Sequence, residues 1–347
     1  MTTEEAFAAE IHDLTHDGRG VADLDGQRVF VAGALPQERV LIRPRRRRRR
    51  FQEAELVGIV ETAKTRVEPG CEYFGRCGGC AVQHMDYEEQ LRFKQSVVAE
   101  AFARIAEATP EHWLDPVSGP LWNYRRKARL SAKFVAGKQR VLVGFRERDA
   151  PYVTDMNHCA VLVPPMDTAL GELAGVIQES SLRSRIPQIE IAMGDRCGAI
   201  VLRVLEPPTA EDEMAFRAFG ERHDLDVYVQ PGGPGTTRPL TPEARILSYV
   251  LSDYGIELEF VPTDFIQINA DVNARMVAAA VETAQLKSSD RVLDLYCGLG
   301  NFSLPLARQA DTVLGVEGEA GLVARAARNA ELNEIPNIRF ITADLAQ

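Results

Sequence analysis

No run in this 347-residue chain is apolar for long enough to cross a membrane. The first ten residues, MTTEEAFAAE, are acidic and lack the apolar core of an export signal. Both absences point to the cytoplasm, a reducing compartment in which disulfides are rare. An overall positive charge is also missing. The formal net charge is −10, which by itself argues against nucleic acid. There are no internal repeats, and only one tract is of low complexity. With 45% hydrophobic and 26% charged residues the composition is that of a soluble globular protein, and the length predicts two or three domains.

Cysteine is sparse, six in all, but it is not scattered. Cys71, Cys77 and Cys80 lie in CEYFGRCGGC, and Cys159 lies in DMNHCAVL. Gly78 and Gly79 allow the backbone to fold tightly around whatever the thiolates hold. Four thiolates suit a 4Fe–4S cluster, or less well a zinc ion. His84 and His158 are close in sequence, but four cysteines complete a site without them. Disulfides are the alternative that a reducing compartment disfavours.

Positive charge, absent overall, is concentrated locally. Residues 43–50 read RPRRRRRR, between the strand-like segments ERVLIR and FQEAELVGIVE. That places the tract on a hairpin tip facing water. Phosphate contacts are local, so Arg45, Arg46, Arg47, Arg48, Arg49 and Arg50 are candidate RNA contacts even in an acidic chain. YRRKAR at 124–129 adds Arg125, Arg126 and Lys127, although alternation along a strand would split these side chains between two faces.

Three segments of different pattern follow one another. Residues 9–62 alternate apolar and polar positions with turn signals at HDGRG, LDGQ and ALPQ, which predicts a small OB-like barrel. Residues 86–108 predict an amphipathic helix capped by Asp86, with Leu91, Val97, Val98, Phe102 and Ile105 as a stripe for core packing. Residues 121–260 read as a mixed α+β domain that includes Cys159, with PGGPGTTRP as a surface loop. From 261 the pattern becomes strand–helix–strand–helix–strand, half of a doubly wound α/β sheet. The predicted boundaries are 1–64, 65–260 and 261–347.

The last segment holds a candidate nucleotide site. DLYCGLGNF at 294–302 follows a strand and opens a helix, and Gly298 and Gly300 allow close approach of a ligand to the backbone. The second strand ends in Glu317, placed to accept both ribose hydroxyls of an adenosine moiety. S-adenosylmethionine (SAM) and NAD both fit this pattern. Cys297 reads as a small residue filling the turn, because no His or Lys beside it would lower its pKa. Cys197, beside Gly198, reads as a turn thiol with no task.

The cysteine spacing, the barrel pattern, the arginine tract and DLYCGLGNF together resemble the SAM-dependent RNA uracil-C5 methyltransferases, in particular a branch that acts on 23S ribosomal RNA. The resemblance covers essentially every residue. It implies an N-terminal TRAM module of OB-like fold that binds RNA, a central α+β domain holding a 4Fe–4S cluster on Cys71, Cys77, Cys80 and Cys159, and a Rossmann-like methyltransferase domain of which only the first half is present. FIQIN at 265–269 resembles the family's F-x-Q-x-N signature. Carried over residue by residue, the SAM contacts are Gln267, Tyr296, Asn301 and Glu317, beside Gly298 and Gly300. Asp344 stands where this branch usually has Asn, which leaves an acceptor for the adenine amino group but removes the amide donor. The implied reaction adds a cysteine thiolate to C6 of a uridine, transfers the SAM methyl to C5, and releases the enzyme when a carboxylate base takes the C5 proton. In the family that cysteine and base follow the third strand by some distance. The chain as given ends at Gln347, so the expectation is a C-terminally truncated, inactive monomer with no catalytic residue of its own and with RVLDLYC left as an exposed sheet edge.

Two other readings stand beside this one. The chain could be an RNA-binding iron–sulfur module without chemistry. A radical-SAM enzyme fits less well, because its cysteine loop has a first gap of three residues and leaves one iron open, whereas here the gap is five and a fourth cysteine is available.

Overall fold

The structure is a computed structural model that describes residues 6–24, 26–47, 51–241 and 243–345. The chain divides into two compact units, Met1–Pro116 with Arg146–Thr154, and Val117–Phe145 with Asp155–Gln347. Among the described residues no helix is long and apolar enough to cross a membrane.

The first unit opens with strands β1 (Phe7–Glu10), β2 (Asp13–Leu14), β3 (Arg19–Leu24), β4 (Gln27–Ala32), β5 (Arg39–Arg47) and β6 (Phe51–Glu61). They form one sheet in the order β1-β5-β6-β4-β3-β2. Every pairing is antiparallel except that of β4 with β6. Alternation in β4 turns Val29 and Val31 inward, where they meet Ile11, Val40 and Ile42. The sheet curls until β1 approaches β3 as well as β5. The predicted barrel is thus a curled half-barrel of mixed strand direction.

Glu38 lies beneath this sheet, 1% exposed. Its carboxylate accepts hydrogen bonds from Arg66 Nε at 2.5 Å, Arg66 Nη2 at 2.9 Å and the Leu35 N–H at 2.8 Å. Burial raises its pKa, but the Arg66 and backbone donors outweigh burial and hold the carboxyl below the usual range.

Helix α1 (Tyr87–Ala101) starts where the cap signal places it, with the Asp86 side chain accepting from the Glu89 N–H at 2.9 Å. The predicted core stripe needs correction. No residue of α1 is buried; Leu91 and Val97 are half-covered, and Val98, Phe102 and Ile105 are exposed, Ile105 to 84%. Helical periodicity shows that a helix has an apolar face but not what covers it.

The second unit begins with β7 (Lys127–Val135) and β8 (Arg140–Gly144), then α2 (Leu170–Glu179), β9 (Gln188–Met193), β10 (Gly198–Arg203), α3 (Ala210–His223), β11 (Leu225–Gln230) and β12 (Arg238–Pro239). These strands form a sheet in the order β12-β11-β10-β9-β7-β8, with β10 and β11 parallel. A hairpin follows, β13 (Leu247–Leu251) and β14 (Ile256–Phe260). Then come α4 (Ala270–Ala284), β15 (Arg291–Leu295), α5 (Ser303–Ala307), β16 (Thr312–Glu317), α6 (Ala320–Leu332) and β17 (Ile338–Thr342). The last three strands are parallel in the order β15-β16-β17, as the alternating pattern predicts. β15 is paired on one side only, and Leu293 and Leu295 are exposed.

One hydrophobic core joins Ala199 of β10, Leu258 and Phe260 of the hairpin, Val277 of α4 and Leu304 of α5. The predicted boundary at residue 260 lies inside it. The open edge of β14 is closed by two asparagines of the α6 end. Asn333 accepts from the Glu257 N–H at 2.8 Å and donates to the Glu257 carbonyl at 2.7 Å. Asn329 does the same at Glu259, at 2.9 and 3.2 Å.

Asn329 is 1% exposed and Asn333 9%. Asn329→Ala strands two backbone groups away from water and is expected to cost about 2–4 kcal/mol, against roughly half that for Asn333→Ala, where solvent can enter. Urea midpoints that fail to move for Asn329→Ala would refute the edge-capping role.

Candidate functional site

The residues of DLYCGLGNF form a turn at the C-terminal end of β15, where ligands meet open parallel sheets. The turn needs three consecutive departures from ordinary backbone. Tyr296, Gly298 and Gly300 have φ of +59°, +56° and +91°. Gly300 is also crowded, since a Cβ there would lie 3.1 Å from Leu304 Cγ. The Gly300 N–H donates to the Cys297 carbonyl at 3.0 Å, and the Leu304 N–H to the Gly300 carbonyl at 3.0 Å, so the turn runs straight into α5.

Glu317 ends the neighbouring strand and faces this turn. Its Oε2 accepts from the Gly298 N–H at 3.1 Å. Its Oε1 accepts from the N–H groups of Gly318 at 2.7 Å and Glu319 at 3.1 Å. Three of about four lone-pair positions are thereby used, and the carboxylate is fixed in orientation. The Ala343 N–H donates to the Glu317 carbonyl at 3.0 Å, which brings exposed Asp344 to the same end of the sheet. Tyr296 is exposed, and its hydroxyl donates to the Leu345 carbonyl at 3.3 Å.

Asn301 points inward. Its Oδ1 accepts from the Tyr249 hydroxyl at 3.0 Å and from Asn273 Nδ2 at 2.9 Å, and its Nδ2 donates to Asn273 Oδ1 at 2.9 Å. Gln267 is half-buried in the FIQIN segment, between buried Ile266 and the helix cap Asn269, whose Oδ1 accepts from the Val272 N–H at 3.1 Å. The structure thus gathers Gln267, Tyr296, Gly298, Gly300, Asn301, Glu317 and Asp344 within one unit. It adds three residues that sequence reasoning missed. Tyr249 and Asn273 carry no local signal, because they reach Asn301 from a hairpin and from α4. Asp294, which accepts from Ser303 Oγ, stands four residues ahead of Gly298 in the motif and was legible. Burial raises its pKa, against the Ser303 hydrogen bonds.

Cys297 is buried. Burial, with Asp294 and Glu317 adding to it, pushes its thiol up to about 12. Cys197 is buried between β9 and β10, and its thiol donates to the Ile246 carbonyl at 3.4 Å. Neither is poised as a nucleophile.

Cys71, Cys77 and Cys80 lie on one loop of the first unit. Arg148 holds that loop, its guanidinium donating to the Cys80 carbonyl at 2.7 Å and the Ala81 carbonyl at 3.1 Å. Cys159 is buried in the second unit, its N–H donating to the Asp167 carbonyl at 2.7 Å. All six cysteines are reduced. Among the described residues no group of three or more His, Cys, Asp or Glu is gathered as a metal site. Burial, and the like charges of Cys80 and Cys71, push the Cys77 thiol up, so these thiols do not draw together on their own account. The donor set itself, reduced thiols held on a clamped loop, fits a thiolate-loving group. His84, behind the loop, is 1% exposed and stacks on Phe74 at 5.2 Å. Burial lowers its pKa to about 4, which keeps it neutral.

The basic residues separate. Arg45 is exposed and pairs with Glu55 at 3.4 Å. Arg46 and Arg47 continue β5 opposite Glu53 and Gln52, so the tract begins in the strand rather than at the tip. Arg48, Arg49 and Arg50 lie outside the described residues. Arg125 is half-buried, its guanidinium 5.3 Å from the Phe145 ring. Arg126 and Lys127 require correction as RNA contacts. Arg126 is 4% exposed, and the Lys127 ammonium is covered, donating to the Pro262 carbonyl and lying 3.7 Å from Glu190. Residues at the start of β7 pack against FIQIN, which sequence spacing cannot show.

The family profile described as tRNA (Uracil-5-)-methyltransferase matches residues 86–345. A protein of Nitrosococcus oceani named 23S rRNA (uracil(1939)-C(5))-methyltransferase RlmD is 46% identical over 345 residues, covering 99% of this chain and 77% of that protein. One of the same name from Alkalilimnicola ehrlichii is 46% identical over 342 residues, covering 98% and 77%. These matches lend no support to the expectation of a truncated, inactive chain. Among solved structures, the Pyrococcus abyssi tRNA (uracil-54, C5)-methyltransferase in complex with S-adenosyl-L-homocysteine aligns with a TM-score of 0.71 at 20% identity, over 97% of this chain and 79% of that one. At that identity the likeness shows a shared fold.

With its pKa raised from 9.0 to about 12, Cys297 holds roughly three orders of magnitude less thiolate at neutral pH than an ordinary cysteine. Iodoacetamide at pH 7 is expected to label it only after unfolding. Rapid labelling in the folded protein would show that the turn activates this thiol.

Proposed function

This chain belongs to the tRNA (uracil-5-)-methyltransferase family, and on that premise we propose that it transfers a methyl group from SAM to C5 of a uridine in 23S ribosomal RNA, the uridine corresponding to position 1939 in the relatives' name. The observation that carries the cofactor reading is the Glu317 carboxylate, oriented by three backbone N–H groups beside the Gly298 turn. Glu317 is left able to accept from a ribose hydroxyl, as SAM requires. Asn301 retains one free N–H direction, Gln267 and Tyr296 flank the turn, and Asp344 stands at the strand end where the adenine amino group would lie. The dipole of a phosphate-gripping helix is not needed, because SAM carries no phosphate.

The finer chemical reading is covalent. A cysteine thiolate adds to C6, the resulting C5 enolate attacks the SAM methyl and releases S-adenosyl-L-homocysteine, a base removes the C5 proton, and the thiolate leaves. Cys297 and Cys197 are excluded from that role by the burial of their thiols, so the proposal assigns the nucleophile to neither. RNA is held on the basic face of the first unit, for which Arg45 and the tract that continues through Arg50 supply the charge.

A 4Fe–4S cluster on Cys71, Cys77, Cys80 and Cys159 is the second cofactor we propose. It would supply a rigid covalent anchor rather than an electron for methyl transfer. Arg148 would keep its loop in place through the Cys80 and Ala81 carbonyls.

Labelled SAM and unmodified 23S rRNA fragments test the activity. The expected product is 5-methyluridine, lost in Glu317→Ala; label on another base, or none, would overturn the reading. Iron and acid-labile sulfide, measured after anaerobic reconstitution, test the cluster separately. Each Cys→Ser change among the four is expected to lower both, while Cys197→Ser leaves them unchanged. Zinc in place of iron, or no bound metal, would remove the cluster.

A further inference from the structure

A buried chain of contacts in the second unit starts at Arg126. Its backbone N–H donates to the Ile268 carbonyl at 2.9 Å, and its Nε–H donates to the Gln267 carbonyl at 3.0 Å. Its guanidinium lies 4.4 Å from the Tyr249 ring centroid and 3.5 Å from Asp195 Oδ1. A buried guanidinium is costly unless stacked or paired, and here the ring and Asp195 both meet it. Tyr249 is 3% exposed and its hydroxyl donates to Asn301 Oδ1. Burial raises its pKa, so it stays a donor at any working pH.

Asn301 is held on three sides. Its oxygen takes two donors, Tyr249 and Asn273, and its nitrogen returns one hydrogen bond to Asn273, which is itself 1% exposed. Turning the Asn301 amide over would break the reciprocal pair. One N–H therefore keeps a fixed direction. The far end of the FIQIN segment is fixed as well, because Asp264 accepts from the Val261 N–H at 2.9 Å and pairs with Arg325.

We infer that Arg126 and Tyr249 are positioning residues, which lock the Gln267 segment and the Asn301 turn into one geometry so that SAM meets both halves of its site already formed. This rests on the reading of that site as a SAM site. Neither residue touches the cofactor. Tyr249 acts through Asn301, and Arg126 acts through Tyr249 and the Gln267 backbone. Preorganisation of this kind raises affinity by lowering the ordering cost of binding.

Binding of S-adenosyl-L-homocysteine by titration calorimetry, with thermal midpoints recorded in parallel, tests the inference without requiring turnover. Tyr249→Phe keeps the ring and the guanidinium stack and removes only the hydroxyl. It is expected to weaken binding about fivefold to tenfold. Arg126→Lys, which loses the planar stack and the Nε–H donor, is expected to weaken it by a similar factor. A thermal effect alone would describe a structural role, so the deciding measurement is a cycle with Asn301→Ala. Adding Tyr249→Phe to Asn301→Ala should cost no further affinity, because the hydroxyl then has nothing to position. Losses that multiply, or an affinity unchanged in both single variants, would overturn the inference and leave the SAM site standing. A wild-type chain that does not bind the ligand would overturn the site reading and this inference with it.

Discussion

Strand β14 has a strand neighbour on one side only, and the placement of everything after it depends on how the other edge is closed. Two amide side chains close it. Asn329 and Asn333 are four residues apart on the α6 end, a rise of about 6 Å. Glu257 and Glu259 are two residues apart on the strand, a rise of about 6.6 Å. The two spacings agree closely enough for each amide to satisfy one N–H and one C=O, as a neighbouring strand would. An exposed strand edge is thereby removed and a helix is aligned with a hairpin. Asn329 also donates to the Leu299 carbonyl at 3.3 Å, which extends the same lock into the turn beside Glu317.

The candidate site inherits its geometry from that frame. Glu317 and the Gly298 turn belong to adjacent parallel strands, and their mutual orientation is local to a β-α-β unit. Gln267 and Asn301 belong to segments that no local rule brings together. Arg126 and Tyr249 connect them from β7 and β13, using groups that burial would otherwise penalise. Two positive side chains that sequence spacing assigns to an RNA surface thus serve the interior. A run of basic residues on a strand presents alternate side chains to opposite faces, and in YRRKAR the covered face takes Arg126 while Arg129 remains largely exposed, pairing with Glu190.

In the first unit the alternating pattern identified the strands and the inward valines, and the cap residue identified the start of α1. It did not reveal that β4 pairs with β6 in parallel, which turns a barrel pattern into a curled half-barrel. Nor did it reveal that the apolar stripe of α1 lies uncovered among the described residues. Pairing partners and covering surfaces are contributed by distant segments, and periodicity carries no information about them.

What the sequence by itself determined were the features whose causes lie within a few residues: the Asp86 cap, the strand–helix alternation after 261, the glycine-bearing turn and the acid at the end of the next strand. Those follow from backbone sterics and from hydrogen bonds between near neighbours. Tertiary structure alone decided that Arg126 and Lys127 are interior, that Cys297 is a protonated turn residue, that Asn301 is gripped by Tyr249 and Asn273, and that two asparagines stand in for a strand. Each of those depends on desolvation and on partners many residues away, and only folding brings these together.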